Sequence, residues 1–431
     1  MLTHANSHLS APTGELDLAF CRMQVKLRQQ TISEQSLCYG QVHNLAHYLD
    51  EVQLTVAGHK LRAGAAPGVD GVTARKYRRS LNKHTNQLIK EVKNKSYQPS
   101  PTLQVEIPKE DGSMRFLGLP TTKDKHLQQG CLIMLEAIYE PTFYEHSYGF
   151  RPHRSPKMAM SVFRDWLVAH DGAYVLEIDL SKFFDTIPHD GLIRVLAEKV
   201  GDKVILRLIR SWLKAGIVKE DGTLLPSMDG TPQGAPLSPT LSNIYLDAAL
   251  DSWYVKDLEP SLLAESTLVR YADDFLMAFT DEGDMRRALL AVTARLESFG
   301  LSVNQKKTKA TDLTKPTGTA QSSVSSNVNF LGFTYYWKPS QATGWTLAVR
   351  TSEKSIKRFT DRLTAWMEDN GDLDTKAIEV AIKNMLRGHW EYFDVEGNGD
   401  ALVLAHQAAI HASGLTPSST LLHGYTGATA N

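Results

Sequence analysis

From residue 174 to 180 apolar and polar positions alternate with a period of two. This places Leu176, Ile178 and Leu180 on one face of a strand and Val175, Glu177 and Asp179 on the other. An acidic face on an otherwise apolar strand invites a cation. A second strand pair is predicted over residues 267–270 and 275–279, with Asp273 and Asp274 at the connection. Helical spacing governs residues 191–215 and about 241–255, and in 285–299 it sets Leu289, Val292, Leu296 and Phe299 on one side of an amphipathic helix. Further upstream, Leu45, Leu49, Val52 and Val56 recur at helical spacing until Pro67 and the glycines of 64–71 break the pattern. A polar helix is expected over 74–95. The alternation Leu103 to Ile107, a turn at Asp111-Gly112 and the return over 114–119 read as a hairpin. Residues 127–139 read as a buried helix and the Thr- and Ser-rich stretch 311–327 as a flexible loop; Ile356, Phe359, Leu363 and Trp366 then restore helical patterning. The first forty residues carry only short helical patches, and no internal repeat is visible.

A length of 431 residues predicts two or three subdomains, and 42% hydrophobic residues are ample for their cores. Cys21, Cys38 and Cys131 lie far apart and outside any Cys/His cluster, so neither a disulfide framework nor a zinc site is expected. No apolar run is long enough to span a bilayer, which points to a soluble, cytoplasmic protein with no membrane partner. The net charge of −1 and pI near 7.0 are unusual for a protein that holds a polyanion. Distribution matters more than the sum. Residues 60–125 carry 14 basic against 6 acidic residues, whereas from Asp394 onward there are three acidic residues and no Lys or Arg. The positive field therefore belongs to the N-terminal third.

Asp273 and Asp274 stand between apolar neighbours in Tyr271-Ala272-Asp273-Asp274-Phe275-Leu276, where uncompensated carboxylates carry a large desolvation penalty. A hard divalent cation compensates them, and Asp179 offers a third oxygen ligand. Mg²⁺ favours a few carboxylates together with phosphate oxygens, and two such ions can stabilise both the attacking 3′-oxygen and the departing pyrophosphate. Nucleotidyl transfer is the chemistry this set suits. Taken alone, an Asp-Asp pair in a hairpin is more often a surface turn. What changes the balance is the ordered series of motifs around it.

Those motifs are Gly68-Val69-Asp70-Gly71, then Ile107-Pro108-Lys109 with Arg115-Phe116-Leu117-Gly118-Leu119-Pro120, and Tyr148-Gly149-Phe150-Arg151-Pro152. Next come Asp179 with Phe183-Phe184-Asp185, Gln233-Gly234-Ala235-Pro236-Leu237-Ser238-Pro239, Tyr271 to Asp274, Gly300-Leu301 with Lys306-Lys307-Thr308, and Phe330-Leu331-Gly332-Phe333. In kind and order they resemble the blocks of reverse transcriptases encoded by bacterial group II introns, over roughly residues 44–398. The resemblance implies an RNA-directed DNA polymerase that uses dNTPs, an RNA template, a DNA primer and two Mg²⁺ ions, with Mn²⁺ a possible substitute. It implies an α+β, right-hand fold with an antiparallel palm sheet and a helical thumb. The expected division is an N-terminal extension (1–43), fingers (44–170), palm (171–340), thumb or maturase-like helices (341–398) and a divergent tail (399–431).

Residue by residue, the resemblance makes Asp179, Asp273 and Asp274 the metal-binding carboxylates and Lys307 the group that protonates the departing pyrophosphate. Lys109 and Arg115 would clamp the triphosphate, Phe184 would be the steric gate against a 2′-hydroxyl, and Gln233 with Gly234 would approach the template–primer. Without it, Lys109 and Arg115 would read as an exposed charged hairpin, Phe184 as core, Gly234 as an ordinary turn and Lys307 as a solvated lysine. Arg151 is expected to touch template or fingers, or to form a structural salt bridge. The thumb resemblance extends from Leu386 through Asn398 and stops there. The Trp- and Arg-rich segment usual in the family is absent, which weakens the expectation of splicing and mobility more than that of polymerisation. Two other readings stay open: a mainly RNA-binding splicing cofactor (maturase), and a domesticated enzyme working with a non-coding RNA in phage defence or a CRISPR system.

Overall fold

A computed structural model describes residues 17–108, 114–317 and 326–412. Its helices and strands divide between two compact units, each discontinuous in sequence: one takes residues up to Phe143 and Lys182–Ala248, the other Tyr144–Ser181 and residues from Ala249 onward. The described strands are β1 (Thr102–Pro108), β2 (Met114–Leu119), β3 (Tyr174–Ile178), β4 (Ile217–Val218), β5 (Leu224–Leu225) and β6 (Ser266–Tyr271). They continue with β7 (Asp274–Phe279), β8 (Lys309–Asp312), β9 (Asn327–Phe330), β10 (Phe333–Ser340) and β11 (Gly344–Thr351). Among the described residues no helix is long and apolar enough to cross a membrane.

In the first unit the N-terminal patches join into one 22-residue helix, Leu18–Tyr39, which buries Cys21, Val25 and Ile32. Its own apolar pattern is weak, and partners hold it: Gln29 donates to the Ile133 carbonyl (3.1 Å) and Ser36 to that of Ile138 (3.2 Å), both on the helix Thr122–Tyr139. That helix is buried nearly all round: its second half is apolar, and in its polar first half Asp124 accepts from Tyr97 and Thr121 while His126 bonds the Leu54 carbonyl. The expected helix over 44–62 becomes a short 3₁₀ turn, Leu45–Tyr48, and a helix, Glu51–Lys60, because Asp50 caps the second by accepting from the Gln53 N–H (3.0 Å). The polar helix over 74–95 likewise divides into Ala74–Arg78 and Leu81–Lys93. The predicted hairpin is present as β1 and β2 in register Leu103↔Leu119 to Pro108↔Met114; its turn lies outside the described residues. It belongs to a four-stranded sheet of order β2-β1-β4-β5, in which β4 runs parallel to β1.

The second unit is built on a sheet of order β6-β7-β3-β8, antiparallel throughout. Both faces are covered, so Val175, Leu176, Met277 and Ala278 are all fully buried and β7 is apolar at five consecutive positions. Val175, Val269 and Leu276 share a cluster with Phe163 and Leu167 of the helix Pro156–Ala169. The expected loop over 311–327 is corrected at its start: Thr311 and Asp312 complete β8, which pairs with β3 through Glu177↔Lys309. A short polar strand shows no periodicity of its own, and the neighbouring ladder supplies its conformation. The hairpin β10–β11, register Phe333↔Thr351 to Ser340↔Gly344, precedes the expected helical region. Helices Glu353–Asn370 and Thr375–Phe393 follow, and residues placed in the divergent tail form a third, Gly399–Ala412. Ala409 and Ile410 of that helix pack with Phe359, Leu363, Ile382 and Leu386. The chain thus has mixed helix and sheet content.

Candidate active site

β3 ends at Ile178, which pairs with Phe275. One further step along that antiparallel register sets Asp179 opposite Asp274, the first residue of β7. The β6–β7 hairpin closes at the Tyr271↔Asp274 pair, leaving Ala272 and Asp273 as its two-residue turn. Ala272 has φ +59°, in the left-handed region that such a turn demands and that a residue with a Cβ rarely adopts. Asp179 and the adjacent pair Asp273-Asp274, far apart in sequence, thereby share one end of one sheet.

Backbone bonds hold Asp179 in place. Its carbonyl accepts from the Asn304 N–H at 2.7 Å, and its own N–H donates to Thr308 Oγ1 at 3.4 Å. The same segment carries Lys307, whose Nζ stands 3.9 Å from Asp179 Oδ2 in an exposed pair. Two residues before Asp179, and so on the same face of β3, lies Glu177. One of its carboxylate oxygens accepts from the Asn329 N–H at 3.2 Å, while Oε2 is buried with no partner among the described residues. Burial pushes the Glu177 carboxyl above its ordinary value. Asp274 keeps an exposed edge, yet desolvation by the surrounding protein, then the charges of Asp273, Glu177 and Asp179, push it up to about 7.

No three His, Cys, Asp or Glu side chains among the described residues close around an ion by themselves. The donor set still fits a hard cation: desolvated carboxylates that face one another gain from a positive charge among them, and an open site is what Mg²⁺ requires when waters and phosphate oxygens complete its shell.

Other candidate residues fall in the first unit. Phe184 is half-buried beside Phe183 (5.4 Å between ring centroids) and lines a cavity of about 240 Å³ with Phe116, Gly118, Thr231 and Gln233. The segment around Gln233 is pinned to β2, since the Gly118 N–H donates to the Gln233 carbonyl at 2.8 Å. Gly234 has φ +119°, and a Cβ there would come within 3.1 Å of the Gly118 oxygen, so its need for glycine is met by backbone packing. Arg115 is exposed on β2 opposite Ile107, and Lys109 lies outside the described residues.

Arg151 lies in the second unit. It is buried and donates to the carbonyls of Tyr144 (2.8 Å) and Ser147 (2.7 Å), latching its own loop. Gly149, in the same motif, packs its backbone against the Asp-Asp hairpin: a Cβ there would stand 2.2 Å from the Ala272 nitrogen. Sequence reasoning did not single out Glu177, Asn329, Arg270 or Asp251 as part of this neighbourhood. Glu177 alone left a signal, its place on the acidic face of β3.

Residues 107–335 match the model of the family described as reverse transcriptase (RNA-dependent DNA polymerase). The chain belongs to the reverse transcriptase family. Members of that family generally depend on a divalent metal. Among curated relatives, this reverse transcriptase is similar to protein YkfC of Escherichia coli (33% identity, 49% of this chain and 62% of that protein). It is similar to a putative COX1/OXI3 intron 2 protein of Saccharomyces cerevisiae (37%, over 38% of this chain and 19% of that protein). It also resembles the group II intron-encoded protein LtrA of Lactococcus lactis (40%, over 37% and 26%). The matches span less than two thirds of each of these relatives.

Proposed function

We propose that this chain is an RNA-directed DNA polymerase of group II intron type, copying RNA into cDNA. The observation that supports this most is the strand register that puts Asp179 beside Asp274 at the mouth of the β6–β7 hairpin. Asp179, Asp273 and Asp274 would hold two Mg²⁺ ions, or Mn²⁺ in their place, which when bound supply the Lewis acidity of nucleotidyl transfer. The residues' own parts are orientation and charge. Asp179 is fixed by its backbone bonds, so that its carboxylate needs little reorganisation when substrate arrives. Lys307 gives a proton to the departing pyrophosphate, a role its position beside Asp179 supports. Phe184 excludes the 2′-hydroxyl of a ribonucleotide, Lys109 and Arg115 take the triphosphate, and Gln233 and Gly234 meet the template–primer. Segments 44–170, 171–340 and 341–398 act as fingers, palm and thumb, and a cognate intron or other non-coding RNA is the partner.

Primer extension on poly(rA)/oligo(dT) with Mg²⁺ and dTTP tests the reading. Asp273→Asn is expected to lower the rate on the order of a hundredfold or more, the scale of losing one element of transition-state charge stabilisation. Equal product from both proteins would overturn the assignment.

A further inference from the structure

Behind the hairpin that carries Asp273 and Asp274 lies a fully buried ion pair. Arg270, on β6, and Asp251, at the end of the π-helical turn Asp247–Asp251, each have no exposed side-chain area. Arg270 Nε donates to both carboxylate oxygens of Asp251, at 2.8 and 3.0 Å, and its Nη2 donates to Oδ2. Its Nη1 is aimed elsewhere, donating at 3.0 Å to the carbonyl of Ala272.

Burying two charges is costly, and apolar residues of similar volume often serve stability as well or better. The retained charge therefore calls for another role, and the direction of Nη1 indicates one. Ala272 holds the left-handed conformation of the turn. A guanidinium on its carbonyl opposes any flip of the Ala272–Asp273 peptide, which would swing the Asp273 carboxylate. The backbone around it is braced too: the Arg270 N–H donates to the His146 carbonyl (2.9 Å) and its carbonyl accepts from the Tyr148 N–H (2.8 Å). A π-helical turn is an irregularity frequent at functional sites, and here it ends on the residue that orients the arginine. We infer that Arg270, oriented by Asp251, is a positioning residue that locks the Ala272 carbonyl and so sets the Asp273/Asp274 carboxylates for catalysis. This rests on the polymerase reading proposed above.

The test compares primer extension by the full chain as wild type, as Arg270→Lys, and as the charge-free pair Arg270→Met with Asp251→Leu. Lysine keeps the charge but has a single nitrogen, which cannot bond both Asp251 and Ala272 in the same geometry. Each protein is also melted thermally. The double variant is expected to melt close to wild type, while its kcat falls on the order of a hundredfold, the scale of an ångström-sized misplacement. KM for dTTP should change little and the Mg²⁺ concentration for half-maximal rate should rise. Arg270→Lys should show the same split between kcat and KM. Wild-type kcat in either folded variant would overturn the positioning role, and so would a loss of activity that merely tracks loss of melting temperature in both. An inactive wild type would instead overturn the polymerase reading.

Discussion

Phe184 illustrates how far a single side chain can be read. Its ring borders a cavity it shares with Phe116 and Gln233, and its backbone is fixed by the Thr231 N–H donating to its carbonyl at 2.7 Å. Truncation to alanine should therefore leave the fold intact and open the space. Phe184→Ala is expected to raise the ratio of ribonucleotide to deoxyribonucleotide incorporation, in kcat/KM, by about tenfold or more, the scale on which a pocket discriminates a small group. Unchanged selectivity would remove the steric-gate role. Gly149 is the opposite case, a residue whose value is what it lacks. The Ala272 nitrogen leaves no room for a Cβ at that site, so Gly149→Ala should cost about 1–3 kcal/mol in urea unfolding, as overpacking does. Polymerase activity should fall with it, because the displaced atoms belong to the hairpin of the aspartates. A fully stable variant would show that the backbone yields there.

Elements with a strong period of their own were legible, and those that borrow their conformation were not. β3 and β7 appear close to their expected bounds because their apolar runs need two covered faces. β8 did not, since Lys309 to Asp312 becomes a strand only by pairing with β3. The helix Gly399–Ala412 is held in the same way, and its contact with Thr375–Phe393 carries a testable consequence. His389 Nδ1 and His406 Nε2 lie 2.9 Å apart, both residues are buried, and the outer nitrogen of each ring has no partner among the described residues. Burial, then the neighbouring His406 and Arg362, pushes His389 down to about 3, and burial pushes His406 down to about 4. Both folded values lie below the unfolded value of 6.5, so between pH 6.5 and about 4 the unfolded chain takes up protons that the folded chain refuses. Stability contributed by the neutral pair is thus fully present above pH 6.5 and declines as pH falls through this window. Urea midpoints measured from pH 7 to 4.5 should fall more steeply for wild type than for His406→Leu; parallel curves would refute the coupling.

At the scale of the whole chain, near-neutral net charge conceals the basic bias of residues 60–125, and the chain folds into two compact units that are each discontinuous in sequence. Strand periodicity, the hairpin over 103–119, the order of motifs and the identity of the three aspartates were determined by sequence alone. Each is encoded over a few neighbouring residues, within reach of local sterics and hydrophobic patterning. Tertiary structure alone decided that Asp179 stands opposite Asp274, that Glu177 joins their field, that Arg151 turns inward to backbone carbonyls, and that Arg270 reaches Ala272 from Asp251. Such pairings join positions up to a hundred residues apart, and their free energy comes from which faces are buried together, a quantity that no local window of the chain contains.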